Sequence, residues 1–382
     1  GQANGNTITA NFGQSSFAYT APTGFKFLST ANLPAPAIKD GSAYFQTTLY
    51  TGNQTARSIT GVGFQPDFVW AKNRAFAESH ILSDAVRGAT LLMKSNTTGA
   101  ESTNTQGLTS FDTDGFSLGT SLEPNKSGDA YVAWNWLAGN GTAEVTVGSI
   151  TSTVSANQTA GFSVVTYTGT GSAATVGHGL STTPEMIIVK NRSASWGWFV
   201  YNSNLTNPTT GRLQLNLTNG EIAGGTPGPW NNTAPTSDVF SIGNSSFPEV
   251  NGSGNSIVAY CFAEVEGFSK FGKYTGNGSA DGPFVWCGFK PAFVLIKVSS
   301  TSGSWFVYDT ARDTYNASKL QLFPNLTSAE DTSSTYDIDI VSNGFKIRSS
   351  NGNINTSSGT HIFMAFAEHP FGGDGVAPAT AR

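Results

Sequence analysis

Paired carboxylates are the first place to look for chemistry in this sequence, because two acids flanking one bond can hydrolyse a glycoside. Glu264 and Glu368 follow corresponding apolar strands in two related segments of the chain, whereas a third segment has Ala138 at the matching place. Acids that change along a repeat more commonly cap strands or pair with lysine. The sequence therefore predicts no catalytic residue here, and no enzyme.

Histidine chemistry is predicted to be absent as well. The four histidines are dispersed along the chain, none in the spacing of a zinc-binding helix, at positions His80, His178, His361 and His369. The sequence also lacks the Gly-x-Ser-x-Gly turn of a serine hydrolase. We expect the histidines at surface or turn positions, with no metal site and no cofactor.

Two acidic patterns have simpler interpretations than a binding site. Asp112 to Gly115 is similar to the start of a calcium loop, but the bidentate glutamate that should follow is missing, so a hairpin turn is favoured. Asp84 with Arg87, and Asp309 with Arg312, recur three residues apart after corresponding strands. For these pairs we expect local ion pairs at a domain edge.

Tryptophans are the best candidates for ligand recognition, because an indole face can stack on a sugar ring. Trp230, Trp196 and Trp286 are the predicted carbohydrate contacts, with the loop residue Trp230 as the first choice. Trp198 and Trp305 occupy the same strand position in two segments, which indicates core packing.

Composition excludes several classes of partner. The 382 residues are only 12% charged, with a net charge of -5 and scattered lysines and arginines, so no nucleic-acid partner is expected. The longest apolar runs have strand length, which predicts no membrane insertion. Cys261 and Cys287 could form one disulfide, although two buried thiols are favoured and the pairing stays open.

The elements that must position these residues come from an internal repeat. Three segments share a Tyr-Thr-Gly turn, an apolar strand that ends in Lys, an aromatic strand and a closing apolar strand. The prolines that precede the apolar strand, Pro66, Pro184 and Pro291, are 118 and 107 positions apart (184-66 and 291-184). Each repeat thus has the size of a small domain.

Short strands between Gly, Asn and Ser turns predict an all-β chain of three tandem antiparallel β-sandwich units of jelly-roll or lectin-like type. Asp114-Gly115 and Asn343-Gly344 predict hairpins, and the continuous apolar strand Phe293 to Ile296 is expected inside a sheet. The predicted boundaries are 1–45 for an N-terminal strand and connector, then 46–140, 141–264 and 265–382 for the units. Their arrangement, as a pseudo-threefold cluster or a bent row, stays open.

The repeated motifs resemble a known family of domains. The Tyr-Thr-Gly-Asn and Gly-Phe-x-Pro motifs, with the closing Ala365 to Phe371, are similar to repeated lectin-like (concanavalin-like) sandwich domains in structural and tail-fibre proteins of marine tailed bacteriophages. The resemblance covers residue 46 to the C-terminus and identifies no functional residue. Asn11 to Leu28 is similar to the last strands of a SPRY-type domain, which implies an upstream portion or processing.

The expected function is that of a non-enzymatic virion structural protein (a tail fibre, capsid fibre or surface decoration) that displays loops for host attachment. The resemblance implies a location on a virion surface or outside the cell, with homo-oligomers or other virion proteins as partners. A carbohydrate-binding adhesin that contacts cell-surface polysaccharide is one alternative. Another is an extracellular filament subunit, in which a strand near Ile8 to Phe12 completes a neighbour's sheet.

Overall fold

The computed structural model describes residues 10–11, 15–26, 32–373, 376 and 379–380. The chain is mostly β-structure in several antiparallel sheets, with helices of only four residues, so the coarse prediction of an all-β protein is confirmed. No helix in the described part of the chain is long and apolar enough to cross a membrane. Of the predicted N-terminal strand at residues 8–12, only residues 10–11 are among the described residues.

Unit 1 of the fold begins after a 3-10 turn at Gly41–Ala43, which is capped by the Asp40 side chain. Its elements are β1 (Phe45–Thr51), β2 (Arg57–Thr60), β3 (Phe68–Asn73), β4 (Ile81–Asp84), β5 (Leu91–Leu92), β6 (Ser102–Thr103), β7 (Leu108–Asp112), β8 (Gly115–Leu118), α1 (Leu122–Asn125) and β9 (Ala130–Trp136). The main sheet has the order β1-β9-β3-β4, and a smaller sheet has the order β2-β8-β7.

Unit 2 carries an additional hairpin at its start. Its elements are β10 (Ala143–Val145), β11 (Ser152–Asn157), β12 (Phe162–Thr168), β13 (Ala174–Gly177), β14 (Met186–Asn191), β15 (Phe199–Asn202), β16 (Leu213–Gln214), β17 (Val239–Ile242), α2 (Pro248–Asn251) and β18 (Ser256–Phe262). The main sheet has the order β10-β11-β12-β18-β14-β15-β16, and β13 pairs with β17 in a second sheet.

Unit 3 repeats the arrangement of unit 1. Its elements are β19 (Ser269–Thr275), β20 (Phe284–Trp286), β21 (Phe289–Val298), β22 (Trp305–Asp309), β23 (Ile338–Val341), β24 (Gly344–Ile347), α3 (Gly352–Asn355) and β25 (Thr360–Pro370). The main sheet has the order β19-β25-β21-β22, and β20-β24-β23 forms the smaller sheet. Strand β21 therefore lies inside its sheet, as predicted from its continuous apolar sequence.

Each main sheet is covered on both faces, which explains why its strands are apolar without alternation. In β3, Val69 and Ala71 belong to a core inside unit 1, whereas Phe68 and Trp70 belong to a larger cluster that includes residues of all three units. Strand β18 divides in the same way between a core of unit 2 and the shared cluster. The units therefore share one continuous core.

Aromatic rings from all three units meet in this shared core. The Phe68 ring of unit 1 stacks on Tyr260 of unit 2 with centroids 4.3 Å apart, and Phe45 stacks on Phe366 of unit 3 at 5.1 Å. Trp136 is in edge contact with Phe262 at 6.3 Å and with Phe366 at 5.8 Å. Because each pair of units is joined by rings, the three units form a closed cluster rather than a row.

Main-chain hydrogen bonds repeat around this cluster. The N–H of Glu101 in unit 1 donates to the Arg192 carbonyl of unit 2 at 2.9 Å, and the N–H of Glu221 in unit 2 donates to Ser299 of unit 3 at 2.6 Å. The N–H of Glu330 in unit 3 donates to the Arg74 carbonyl of unit 1 at 2.9 Å. The same bond therefore occurs at all three junctions, which gives the units a pseudo-threefold arrangement.

Candidate functional site

The junction between units 1 and 2 contains a buried charged cluster. The Arg87 guanidinium pairs with Asp84, with Glu101 at 2.8 Å, and with the Leu82 carbonyl at 3.0 Å. The Tyr260 hydroxyl of unit 2 donates to Asp84 at 2.8 Å. Burial lowers the pKa of Arg87, but Asp84, Tyr260 and Glu101 together more than offset this effect, so the pKa lies above its ordinary value.

A second charged cluster joins units 1 and 3. Arg312 pairs with Asp309 at 2.5 Å and with Glu330 at 2.9 Å, and Glu330 also binds Arg74 of unit 1 at 2.8 Å. The indole N–H of Trp134 in unit 1 donates to Asp309 at 2.9 Å. The predicted local ion pairs, Asp84 with Arg87 and Asp309 with Arg312, are confirmed at the edges of their sheets. Their side chains are buried because a neighbouring unit covers each edge.

Sequence reasoning missed a set of buried lysines at the ends of β3, β14 and β21. The ammonium of Lys190 donates to the carbonyls of Asn191 at 2.8 Å and of Thr98 in unit 1 at 3.1 Å. That of Lys297 donates to Val298 at 2.6 Å and to Thr218 in unit 2 at 3.2 Å. Burial lowers the pKa to about 8 in Lys190 and about 7 in Lys297.

The equivalent Lys72 donates to the Asn73 carbonyl at 2.6 Å, and burial lowers its pKa to about 8. The signal in the sequence that could have identified these buried lysines is that a lysine recurs near the end of the apolar strand in each repeat. All three ammonium groups are held by main-chain carbonyls and are covered from solvent, so they serve packing rather than nucleophilic chemistry.

The histidines do not lie where they were expected. His80, His178 and His361 are fully buried, and only His369 is exposed. His80 accepts a hydrogen bond from the Trp70 indole at 2.9 Å and stacks on Trp134. It directly precedes β4, and the equivalent residue before β15 in unit 2 is the buried Trp198. Burial lowers the pKa of His80 well below its ordinary value.

Two common kinds of catalytic arrangement, a metal-ligand cluster and a hydroxyl–histidine pair, were sought in the described part of the chain. Among those residues no three His, Cys, Asp or Glu side chains are placed to hold a metal, and no serine or threonine hydroxyl bonds to a histidine ring. Glu264 pairs with Lys270 at 2.5 Å and Glu368 pairs with Lys290 at 3.2 Å. Asp114 accepts the N–H groups of Gly61 and Gly63, which agrees with the hairpin interpretation.

The three predicted sugar contacts lie in different environments. Trp230 is 1% exposed, donates its indole N–H to the Gly211 carbonyl at 2.8 Å and packs against Tyr201, so no ring face is open to a ligand. Trp196 is 39% exposed in the loop before β15, and Trp286 is 58% exposed at the end of β20. Trp198 and Trp305 are in the core, as expected.

Trp286 lines a cleft. The cleft has a volume of about 490 Å³ and lies between the connector Leu33–Ala37, the unit 2–3 linker and the start of the C-terminal tail. Its polar groups include Glu264, Glu266 and Lys270, and the Lys270 ammonium lies 5.7 Å from the Trp286 ring centroid. Cys287 forms part of the floor, and burial raises the pKa of this thiol far above its ordinary value.

Both cysteines are free and buried, as favoured from the sequence. Their separation on different units, with Cys261 on β18 and Cys287 beside β20, leaves them as packing groups.

Comparison with known proteins adds a family but no function. Residues 40–370 match the model of a family described as a domain of unknown function, DUF7483. No curated protein matches the chain, and no solved structure matches it. The matched residues include all three units but only part of the cleft lining, because Leu33–Ala37 and Phe371–Gly372 lie outside the match.

Proposed function

We propose that this chain, which belongs to the DUF7483 family, is a non-enzymatic structural protein of a virion surface, a tail fibre, capsid fibre or surface decoration. The observation that carries the proposal is how the ionisable side chains are used. Arg87, Arg312, Asp84 and Asp309 are buried in clusters that join units, and the buried lysines bind carbonyls. These charged side chains are buried and bind one another or the main chain, so they hold the units together. This use favours a structural component of a particle over a catalyst.

The units are proposed to be tandem lectin-like or jelly-roll sandwiches. The recurring order of the main sheet, first strand, last strand, third and fourth, supports this interpretation, as does the smaller sheet packed against one face. A rigid three-unit block that presents loops on its outer surface is suited to host attachment, and copies in a homo-oligomer would add weak contacts into avidity.

The test is to locate the chain on a particle. Phage particles from a host that carries this gene would be purified, analysed by mass spectrometry, and labelled with antibody against the chain for electron microscopy. We expect the chain in stoichiometric amounts at the tail or capsid surface. Its absence from intact particles, or its recovery as a free secreted filament, would refute the proposal.

A carbohydrate-binding adhesin is the second candidate, favoured by the exposed Trp286 and Phe284 on unit 3. Glycan arrays with the full chain would test it independently of any particle. The filament alternative rests on the N-terminal strand at residues 8–12, and it stays a prediction because only residues 10–11 of that strand are described.

A further inference from the structure

One equivalent position in the three smaller sheets holds a different residue in each unit: Thr60, Gly177 or Trp286. The positions are equivalent because each pairs with the residue that precedes the buried phenylalanine of the partner strand. In unit 2 a β-carbon at Gly177 would lie 2.4 Å from the Val145 side chain, so β10 covers that place. Only unit 3 carries an aromatic ring there, and it is left uncovered.

A second aromatic ring continues this surface. Phe284 is 48% exposed, and the pattern exposed-buried-exposed along β20 puts it on the same face as Trp286. Residues two apart on a strand are separated by about 7 Å. Gly344 lies opposite Trp286 and contributes no side chain, so the indole face stays open. An apolar surface of this kind fits the flat, apolar faces of sugar rings.

The charge of the cleft narrows the choice of ligand. Glu264 is neutralised by Lys270. Glu266 is exposed and has no hydrogen bond or ion pair to any described residue, which leaves the cleft with two acids and one lysine, a net charge of -1. A ligand carboxylate close to Glu266 would meet like-charge repulsion. Hydroxyl and N–H groups would instead find an acceptor.

We propose that this cleft binds an oligosaccharide without acidic groups, with a sugar ring stacked on Trp286 and a hydroxyl or amide donor on Glu266. The cleft volume of about 490 Å³ falls within the roughly 300–1,000 Å³ of small-ligand sites. The proposal deepens the attachment function proposed above and rests on it for its biological meaning, but its test is separate.

The experiment is isothermal titration of the full chain with three hexasaccharides: cellohexaose, chitohexaose and an alginate hexamer. We expect saturable binding of at least one of the two uncharged sugars and weaker binding of alginate. Trp286→Ala should weaken that binding at least about tenfold, since buried aromatic anchors dominate interfaces. Tyr315→Ala removes another exposed aromatic ring that does not line the cleft, and it should leave the affinity unchanged.

Glu266→Gln sharpens the charge argument. The variant keeps the size and hydrogen-bonding capacity of the side chain but removes its charge, so the preference for cellohexaose over alginate should shrink. Thermal unfolding of each variant serves as the folding control.

Failure to bind any uncharged hexamer, an equal loss of affinity in Trp286→Ala and Tyr315→Ala, or tightest binding of alginate would each overturn the proposal. These results are distinguishable from failure of the attachment function, which depends on finding the chain on particles. Sugar binding by a chain that is absent from particles would retain the site and refute the virion role.

Discussion

Two kinds of junction hold the three units together, and their difference shows what a closed cluster requires. The unit 1–2 and unit 1–3 junctions each place an Asp–Arg pair under an aromatic hydrogen-bond donor, Tyr260 or Trp134. At the unit 2–3 junction the corresponding positions are Asn202, Leu205 and Met364, all buried. Closure is therefore possible with either a charged or a mainly apolar contact.

The charged junctions are stable only when every buried charge keeps its partner. Removing one partner leaves a buried charge unpaired and lowers the free energy of unfolding, whereas replacing the whole set by apolar residues need not lower it. Glu101 and Glu330 extend the charged clusters to Arg192 and Arg74 on the neighbouring units. At the unit 2–3 junction the residue equivalent to Arg74 and Arg192 is Ser299, whose side chain carries no positive charge. The junctions thus share their main-chain geometry but differ in their tolerance of single substitutions.

Arg87→Met should have the largest effect. Removing the guanidinium leaves Asp84 buried without its cationic partner, and the expected loss in the free energy of unfolding is about 3–5 kcal/mol. Urea denaturation followed by tryptophan fluorescence measures it. The triple variant Asp84→Asn, Arg87→Leu and Tyr260→Met copies the unit 2–3 junction and should recover most of the loss. A triple variant as unstable as the single one would contradict the comparison.

Tyr260→Phe should have the next largest effect. The change removes one hydrogen bond to a buried carboxylate and leaves the ring in place, so a loss of about 2–3 kcal/mol is expected. Met364→Leu at the equivalent position of the apolar junction is nearly volume-conserving and should cost less than about 1.5 kcal/mol. Equal losses in the same denaturation experiment would remove the distinction between the junctions.

The buried lysine at the unit 2–3 junction predicts a pH dependence. Burial lowers the pKa of Lys297 from 10.5 to about 7, so between these values the unfolded chain binds more protons, and the free energy of unfolding rises with pH. Lys297→Met lacks this contribution. Its stability relative to the wild type should therefore fall by roughly 2 kcal/mol between pH 7 and pH 9. A difference that is constant across this range would contradict the assignment.

Substitution in an exposed ion pair is expected to have the smallest effect on the free energy of unfolding. Lys346 binds Asp281 at 2.8 Å on the outer surface of unit 3, where the aspartate side chain is 83% exposed. Lys346→Ala should leave the free energy of unfolding almost unchanged, since solvent and salt screen such pairs. Thermal unfolding at low and high salt is the measurement. A loss as large as that of Arg87→Met would mean that burial does not control these energies.

The sequence predicted much of the local structure. Periodicity and turn residues located the hairpins at Asp114-Gly115 and Asn343-Gly344 and the interior strand at Phe293, because these signals depend on residues close together in the chain. The pairing of Glu264 and Glu368 with lysines was also expected from their variation along the repeat.

The candidate site was predicted only in part. Trp286 was selected from its residue type, and the structure places it in a cleft. Trp230 has the same residue type and also lies in a loop, but neighbouring segments bury it. A loop assignment gives no measure of how much of a side chain is covered, since the covering atoms come from distant parts of the chain.

By itself, the sequence determined that the chain is β-rich, that it contains three related segments, and which strands are apolar on both faces. Only the tertiary structure decided what covers the second face. Asp84 and Arg87 lie at the end of their sheet's last strand, and in the sequence they have the pattern of a solvated edge. The neighbouring unit's Tyr260 removes them from water. Burial of Asp84 depends on a contact with a residue 176 positions away, and no local pattern encodes such a contact.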